Sequence, residues 1–308
     1  MHRATGRWRV GLPLALLTAF CWGVLPIALT IVHQRMDSYT ITWYRVAVAS
    51  GVLGAILAVR GKLPRFRQIT LRSWRLVAVA LVGLAGNWVL YVAALAHTTP
   101  SISQTVVQLS PLFLLLGGLT IYKEPFTRWQ WVGLGVLIGG LLLFFNRRLP
   151  ELVHVGAGIG LGVAMLLASS LLWTAYALVQ KGLLKRLSSP QILWLLYVGS
   201  VLLLLPLARL GDLRGLDNVR VWLLVFCCAN TLVGYGAFAE ALEHWDVSRV
   251  SAVIALAPIF TVLGMPVAAH LAPALLEPEH LTLTSLAGAL LVVVGSMLSA
   301  FGLRPRDA

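Results

Sequence analysis

The chain has 308 residues, of which 59% are hydrophobic and only 11% are charged, and its mean hydropathy is +0.86. Soluble globular proteins carry about 25% charged residues, so this composition excludes an ordinary soluble domain and indicates an integral membrane protein. The formal net charge of +13 would also suit a nucleic-acid-binding protein. However, the basic residues are concentrated in alternate connections between apolar segments, which is a pattern of membrane topology, and no nucleic-acid partner is expected.

Ten apolar segments follow one another with short polar breaks between them. Each has about the 20 residues that a helix needs to cross a hydrocarbon core of about 30 Å. The segments cover residues 10–32, 39–59, 75–96, 101–122, 129–146, 156–180, 190–208, 219–242, 247–270 and 283–303. The predicted fold class is an all-α integral membrane protein with ten transmembrane helices. A β-barrel would show alternating segments of about ten residues, which the run LLVFCCANTLVGYGAFAEAL does not.

The first segment follows Arg3, Arg7 and Arg9, as the apolar region of a signal peptide would. It is longer than such a region and no cleavage site follows it, so we interpret it as a retained span. With the N-terminus in the cytoplasm, most of the 24 Lys and Arg residues fall on the cytoplasmic side. This distribution predicts a multi-pass protein of the inner (cytoplasmic) membrane, with both termini cytoplasmic and its basic loops beside anionic lipids.

The two halves of the sequence match each other at nearly constant spacing. Trp22 pairs with Trp173, and the fourth span of each half contains a proline. The chain therefore divides into residues 1–150 and 151–308, with five spans in each. Because five is odd, the second copy would cross the membrane in the opposite direction from the first. Inverted repeats place a solute site near the membrane midplane at their interface, so this organisation predicts transport by alternating access.

Several motifs are shared with a known family. Each half has a tryptophan in its first span ("AFCWGVLP", "SSLLWTAYALVQK"), and the fourth spans contain "QLSPLF" and "ALAPIF". Together with "WYRVAVAS" in the second span and the glycine-rich fifth spans, these motifs resemble the EamA family of the drug/metabolite transporter superfamily. The resemblance implies an inner-membrane permease, in a family of which many members export amino acids or other metabolites. The second half has Leu196 where the first has Arg45, so the halves are not expected to be functionally identical.

Two polar stripes interrupt the apolar spans. Gln104 and Gln108 lie four residues apart and share one face of the fourth helix. Asn87 and Tyr91 have the same spacing in the third helix, and the short HTTPS connection would bring the stripes together. We predict that these four side chains bind a small polar solute, because amides offer both donors and acceptors. The alternative is that they only bond neighbouring helices to one another.

Arg45 and Glu240 are the charged residues placed deepest in the spans. Arg45 either extends its charge outward to the interface or is a fixed cation at the cavity, attractive to a carboxylate. Glu240 lies near the end of the eighth span, so it is either interfacial or a proton-coupling group.

Aromatic residues and prolines complete the candidate site. An amphipathic wall to the cavity is predicted from Trp22, Trp173, Tyr91, Tyr176 and Tyr235. Such residues otherwise form interfacial belts near the ends of spans.

Pro111 and Pro258 should kink their helices, because proline removes a backbone donor and clashes with the preceding turn. Each kink is either a hinge that frees carbonyls for a ligand or a purely structural feature.

The function predicted from these features is secondary-active export of a small metabolite such as an amino acid. The sequence has no GxxxxGK[ST] motif for nucleotide binding and no G-x-S-x-G or H-E-x-x-H motif, so we expect neither ATP-driven transport nor an enzyme. The three cysteines lie in apolar spans without metal-ligand spacing, and no metal or other cofactor is expected. A non-transporting scaffold or lipid-handling protein is the alternative. The sequence leaves the oligomeric state open.

Overall fold

A computed structural model describes residues 7–64, 70–122, 127–146, 158–245, 247–279 and 281–301. Within these ranges every regular element is helical. In chain order the α-helices are α1 (Trp8–His33), α2 (Ser38–Val59), α3 (Leu71–Ala94), α4 (Pro100–Val106), α5 (Ser110–Tyr122), α6 (Arg128–Phe144), α7 (Ile159–Leu183), α8 (Ser189–Leu204), α9 (Asn218–His244), α10 (Val247–Ile254), α11 (Ala257–Leu271) and α12 (Leu283–Phe301).

Six helical stretches of the described chain are long and apolar enough to cross a membrane. Three shorter apolar helices, α6, α8 and α12, accompany them. Many large apolar side chains are exposed along these helices, including Val82, Leu142 and Leu202. A soluble protein would bury such side chains, whereas lipid is a favourable surrounding for them. The exterior is that of a multi-pass membrane protein.

Local side chains determine where several helices begin. Asp37 accepts hydrogen bonds from the backbone N–H groups of Tyr39 and Thr40, at 2.9 and 3.0 Å, at the start of α2. Asp217 caps α9, and hydrogen bonds from the backbone and side chain of Arg220 hold the pKa of its carboxyl below the ordinary value. These caps satisfy N–H groups that a helix end would otherwise leave unpaired.

Two of the predicted spans are broken helices. A 3₁₀ turn at Val107–Leu109 separates α4 from α5, and a turn at residues 255–256 separates α10 from α11. Each break immediately precedes Pro111 or Pro258, the residues at which the sequence predicts a kink. Pro258 cannot donate a hydrogen bond to the preceding turn, so the regular ladder stops there. The side chain of Pro111 lies outside the described residues.

The helices pack in pairs drawn from the two halves of the sequence. The first helix, α1, lies along α9 and α11, whereas α3 and α5 both lie along α7. Helix α2 packs against α8, and α6 against α12. A Cβ added to Gly140 of α6 would lie 2.6 Å from the backbone nitrogen of Val292 in α12. Glycine therefore allows the backbones of α6 and α12 to approach closely.

Candidate functional site

A cavity of about 220 Å³ lies where the two broken helices meet α1, α2, α3, α7, α9 and α12. Its polar lining residues are Arg45, Asn87, Gln104, Gln108, Ser110, Ser251 and Ser296. Its aromatic lining residues are Trp22, Trp88, Tyr91, Trp173, Tyr235 and Phe238. Its remaining lining residues are Leu25, Val107, Ile254, Ala255 and Ala257. The cavity is thus an apolar, aromatic space with a few polar groups, as is typical of small-molecule sites.

Gln108 joins the two helix breaks to each other. Its Nε2 donates a hydrogen bond of 2.7 Å to the carbonyl oxygen of Ala255. In a continuous helix that carbonyl would accept from the N–H of Ile259, which instead bonds to Leu256. The break therefore frees a buried carbonyl, and a glutamine from the other half of the chain satisfies it. No partner is recorded for Gln108 Oε1 in the described part of the chain, and Gln108 lines the cavity.

The two polar stripes also meet across the α3–α4 connection. The hydroxyl of Tyr91 donates to Gln104 Oε1 at 2.9 Å. Asn87 Nδ2 donates to the carbonyl oxygen of Ser169 at 3.1 Å and to its hydroxyl oxygen at 2.8 Å. The side-chain amides of Gln104 and Asn87 thus each bond a residue of a neighbouring helix, and both residues also line the cavity. The geometry shows the helix bonding directly, and the binding of a solute by these side chains stays a prediction.

Arg45 is the charged member of the cavity wall. It is only 4% exposed, and its Nε donates to Thr231 Oγ1 at 2.9 Å. The Thr231 hydroxyl in turn donates to the carbonyl oxygen of Cys227 at 2.8 Å. This two-step contact with α9 holds the buried guanidinium at the cavity wall, and its attraction of a carboxylate stays a prediction.

The aromatic wall is held together by ring contacts and a hydrogen bond. Trp88 Nε1 donates to the Tyr235 hydroxyl at 2.9 Å, and the rings of Trp22 and Tyr235 lie 5.4 Å apart between centroids. Trp88 also stacks on Tyr197, which is fully buried. Because the Trp88 indole N–H is already bonded, the wall presents mostly apolar ring surface to the cavity.

Three of the predicted residues lie elsewhere. Tyr176 is buried in the apolar core between α2, α3, α7 and α8, where Gly83 permits close approach of α3 to its backbone. Glu240 is exposed and lies 3.2 Å from His244. It is two residues beyond Phe238, and two residues correspond to about 200° of rotation around a helix, so it faces away from the cavity. Pro258 is buried beside the cavity but does not line it. The coupling role of Glu240 and the hinge roles of the two prolines stay predictions.

The sequence analysis did not identify Trp88, Phe238 or Thr231 as site residues. Trp88 adjoins Asn87 in sequence, and Thr231 belongs to the polar pair Asn230-Thr231 within an apolar run. That pair was the available signal, since polar groups within a span need partners. Asn230 uses its amide nitrogen to bond the carbonyl oxygen of Cys21 at 2.8 Å.

Within the described residues no group of three or more His, Cys, Asp or Glu side chains has an arrangement that could hold a metal ion.

Comparison with known proteins gives consistent matches along the chain. A model of the EamA-like transporter family matches residues 9–146 and again residues 160–301. The Escherichia coli K12 protein named "Uncharacterized inner membrane transporter YhbE" is 42% identical over 296 residues, covering 96% of this chain and 92% of that protein. A Salmonella typhimurium protein named "Probable amino-acid metabolite efflux pump" is 25% identical over 307 residues, covering 95% of each. A crystal structure with 16% sequence identity shares the fold at a TM-score of 0.66, covering 95% of this chain and 97% of that one.

Proposed function

Because the chain belongs to the EamA-like transporter family, we propose that it is a secondary-active transporter that exports a small polar metabolite, such as an amino acid or a related solute. The solute binds in the central cavity, where Asn87, Gln104, Gln108 and Arg45 provide the polar contacts. A cavity of about 220 Å³ is smaller than the roughly 300–1,000 Å³ of sites for drug-sized ligands, which favours a small metabolite.

The observation that carries this proposal is that both halves of the chain form the cavity at their helix breaks. Gln108 at one break bonds the carbonyl of Ala255 at the other. Interrupted helices at a central interface are the usual construction of solute sites in secondary transporters, since irregular backbone is tolerated only where it faces protein or a cavity.

The pairing of helices supports an inverted repeat of five spans each, divided near residue 150. The contact of α1 with α9 has its counterpart in the contact of α7 with α3, and α1 with α11 corresponds to α7 with α5. The double match of the family model, to residues 9–146 and 160–301, agrees with this division. Two copies in opposite orientation would rock about the cavity and expose it to each side of the membrane in turn.

The orientation that we propose places both termini in the cytoplasm, with the protein in the inner membrane. The distribution of basic residues supports this orientation, and a relative of 42% identity is named as an inner membrane transporter. Basic cytoplasmic loops would then contact anionic lipid headgroups.

The proposal is tested by counterflow in proteoliposomes of the purified protein. Vesicles loaded in turn with unlabelled amino acids and other small metabolites are diluted into the corresponding labelled solute, with and without an imposed pH gradient. We expect at least one solute to accumulate transiently above the level in protein-free vesicles. Gln104→Leu should reduce the rate without reducing the amount of folded protein, because it removes the amide that contacts the cavity and Tyr91.

A negative outcome has two forms. If the wild-type protein moves no candidate solute under any imposed gradient, the transport proposal is wrong. If Gln104→Ala and Asn87→Ala leave the protein's cellular function intact while substitutions in the helix interfaces abolish it, the scaffold alternative is favoured instead.

A further inference from the structure

We propose that the cavity selects organic monocarboxylates with a flat apolar body, and that a solute's ammonium group is dispensable for recognition. This inference rests on the proposed transport function and specifies its substrate class. It follows from the charge of the cavity, from the way in which Arg45 is held and from the aromatic wall.

The described lining of the cavity carries positive charge and no negative charge. Of the described residues that line it, Arg45 alone is charged, and none is an aspartate, glutamate, lysine or histidine. Asp217 pairs with Arg220, and Glu240 lies beside His244; neither contact involves a residue of the cavity. A guanidinium that is 4% exposed and has no acidic partner within the described part of the chain is costly unless an anion joins it. The solute is the group that can supply the anion.

The orientation of Arg45 suits a single carboxylate. Its Nε is occupied by Thr231, and no bond is recorded within the described chain for its two terminal amino groups. These two nitrogens form the end of the guanidinium fork, which can bind both oxygens of one carboxylate. Because Thr231 is itself bonded to the Cys227 carbonyl, the fork is held in place before the solute arrives. Thr231 is therefore a positioning residue for recognition.

An ammonium group has no acidic partner among the described lining residues. The acceptors offered to it are the neutral side-chain oxygens of residues such as Gln108 and Asn87, whose amide nitrogens are already bonded to other helices. An α-ammonium would also lie only two bonds from the carboxylate carbon, and hence close to the Arg45 charge, which repels it. Replacing that ammonium with hydrogen removes the repulsion without removing a salt bridge.

The remaining wall suits a flat apolar group. The rings of Trp22 and Trp88 each contact the ring of Tyr235, and all three residues line the cavity. The nitrogen of Trp88 is already bonded to Tyr235, so Trp88 offers the cavity an apolar ring face rather than a hydrogen bond. Ring faces of this kind stack favourably on planar apolar groups.

The test uses four solutes of nearly the same shape: 3-phenylpropionate, L-phenylalanine, phenethylamine and 3-phenylpropionamide. Their binding to the purified protein is measured by calorimetry, and their transport by competition in the counterflow assay. We expect 3-phenylpropionate to bind at least as tightly as phenylalanine, and at least about tenfold more tightly than the amide or the amine. Tighter binding of the amine, or equal binding of acid and amide, would overturn the proposal.

Variants separate recognition from folding. Thr231→Val keeps the side-chain shape but removes the acceptor for Arg45 Nε, so the preference for acid over amide should fall about tenfold. Thr231→Ser keeps the hydroxyl and should retain the preference. A general loss of stability would weaken acid and amide alike, and unchanged ratios in Thr231→Val would show that Thr231 does not position the fork. Arg45→Gln should abolish the preference.

The outcomes for the two proposals are distinguishable. Transport of other solutes with no binding of 3-phenylpropionate would overturn the substrate class and leave the transport function standing. Selective binding of 3-phenylpropionate with no transport of any solute would overturn the transport function and leave the cavity's charge selectivity standing.

Discussion

At the scale of single residues, the side-chain amide of Gln108 has two roles, one for its nitrogen and one for its oxygen. The nitrogen closes the bond to Ala255 across the two helix breaks, whereas the residue also lines the cavity. A side chain that both joins the halves and contacts solute would couple binding to their relative position. Glutamine suits this role because its donor and acceptor lie on one short planar group.

Replacing Gln108 with leucine should lower the stability of the protein. Leucine keeps a similar volume but leaves the buried Ala255 carbonyl without its donor, which costs about 1–3 kcal/mol. The measurement is the melting temperature of the purified variant in detergent. Ser251→Ala is the matched control, because Ser251 lines the cavity and no hydrogen bond of its hydroxyl is recorded among the described residues. An unchanged melting temperature in Gln108→Leu would contradict the proposed joining role.

At the scale of helices, the close contact of α6 with α12 depends on particular glycines. An added Cβ at Gly140 would meet the backbone of Val292 at 2.6 Å, whereas one at the adjacent Gly139 would meet no atom within 4 Å. Backbone cannot move aside as the end of a flexible side chain can. Gly140→Ala should therefore destabilise the protein by about 1–3 kcal/mol, while Gly139→Ala is neutral or slightly stabilising. Size-exclusion profiles and melting temperatures of both variants measure the difference, and equal effects would contradict it.

Among the contacts between helices, the sequence could predict those set by local spacing but not those set by the packing of distant helices. Asn87 and Tyr91 lie four residues apart, and a short connection leads to Gln104. The meeting of the polar stripes was predictable because the spacing and the connection are both local features of the sequence. The breaks before the prolines were likewise local. The bond between Arg45 and Thr231 was not predictable, since it depends on how α2 and α9 are rotated against each other.

Helix rotation also explains why two of the predicted site residues do not line the cavity. Tyr176 shares α7 with the cavity residue Trp173 but points into the core beside Gly83. Glu240 lies only two residues from the lining residue Phe238, yet on the far side of α9. Depth in a span can be read from sequence, whereas the direction that a residue faces is set by the packing of neighbouring helices.

At the scale of the whole molecule, rocking of the two halves requires that the cavity be reached from each side of the membrane in turn. Ser251→Cys, in a background in which the buried cysteines at 21, 227 and 228 are replaced by alanine, places a thiol in the cavity wall. A membrane-impermeant thiol reagent should label it when added outside the vesicles and also when trapped inside them, because each conformation opens the site to one compartment. Val82→Cys is the control, since Val82 is on the apolar exterior in the middle of α3 and lipid should shield it from a charged reagent on either side. Labelling of Ser251→Cys from one side only, with and without a transported solute, would contradict alternating access while leaving the cavity itself in place.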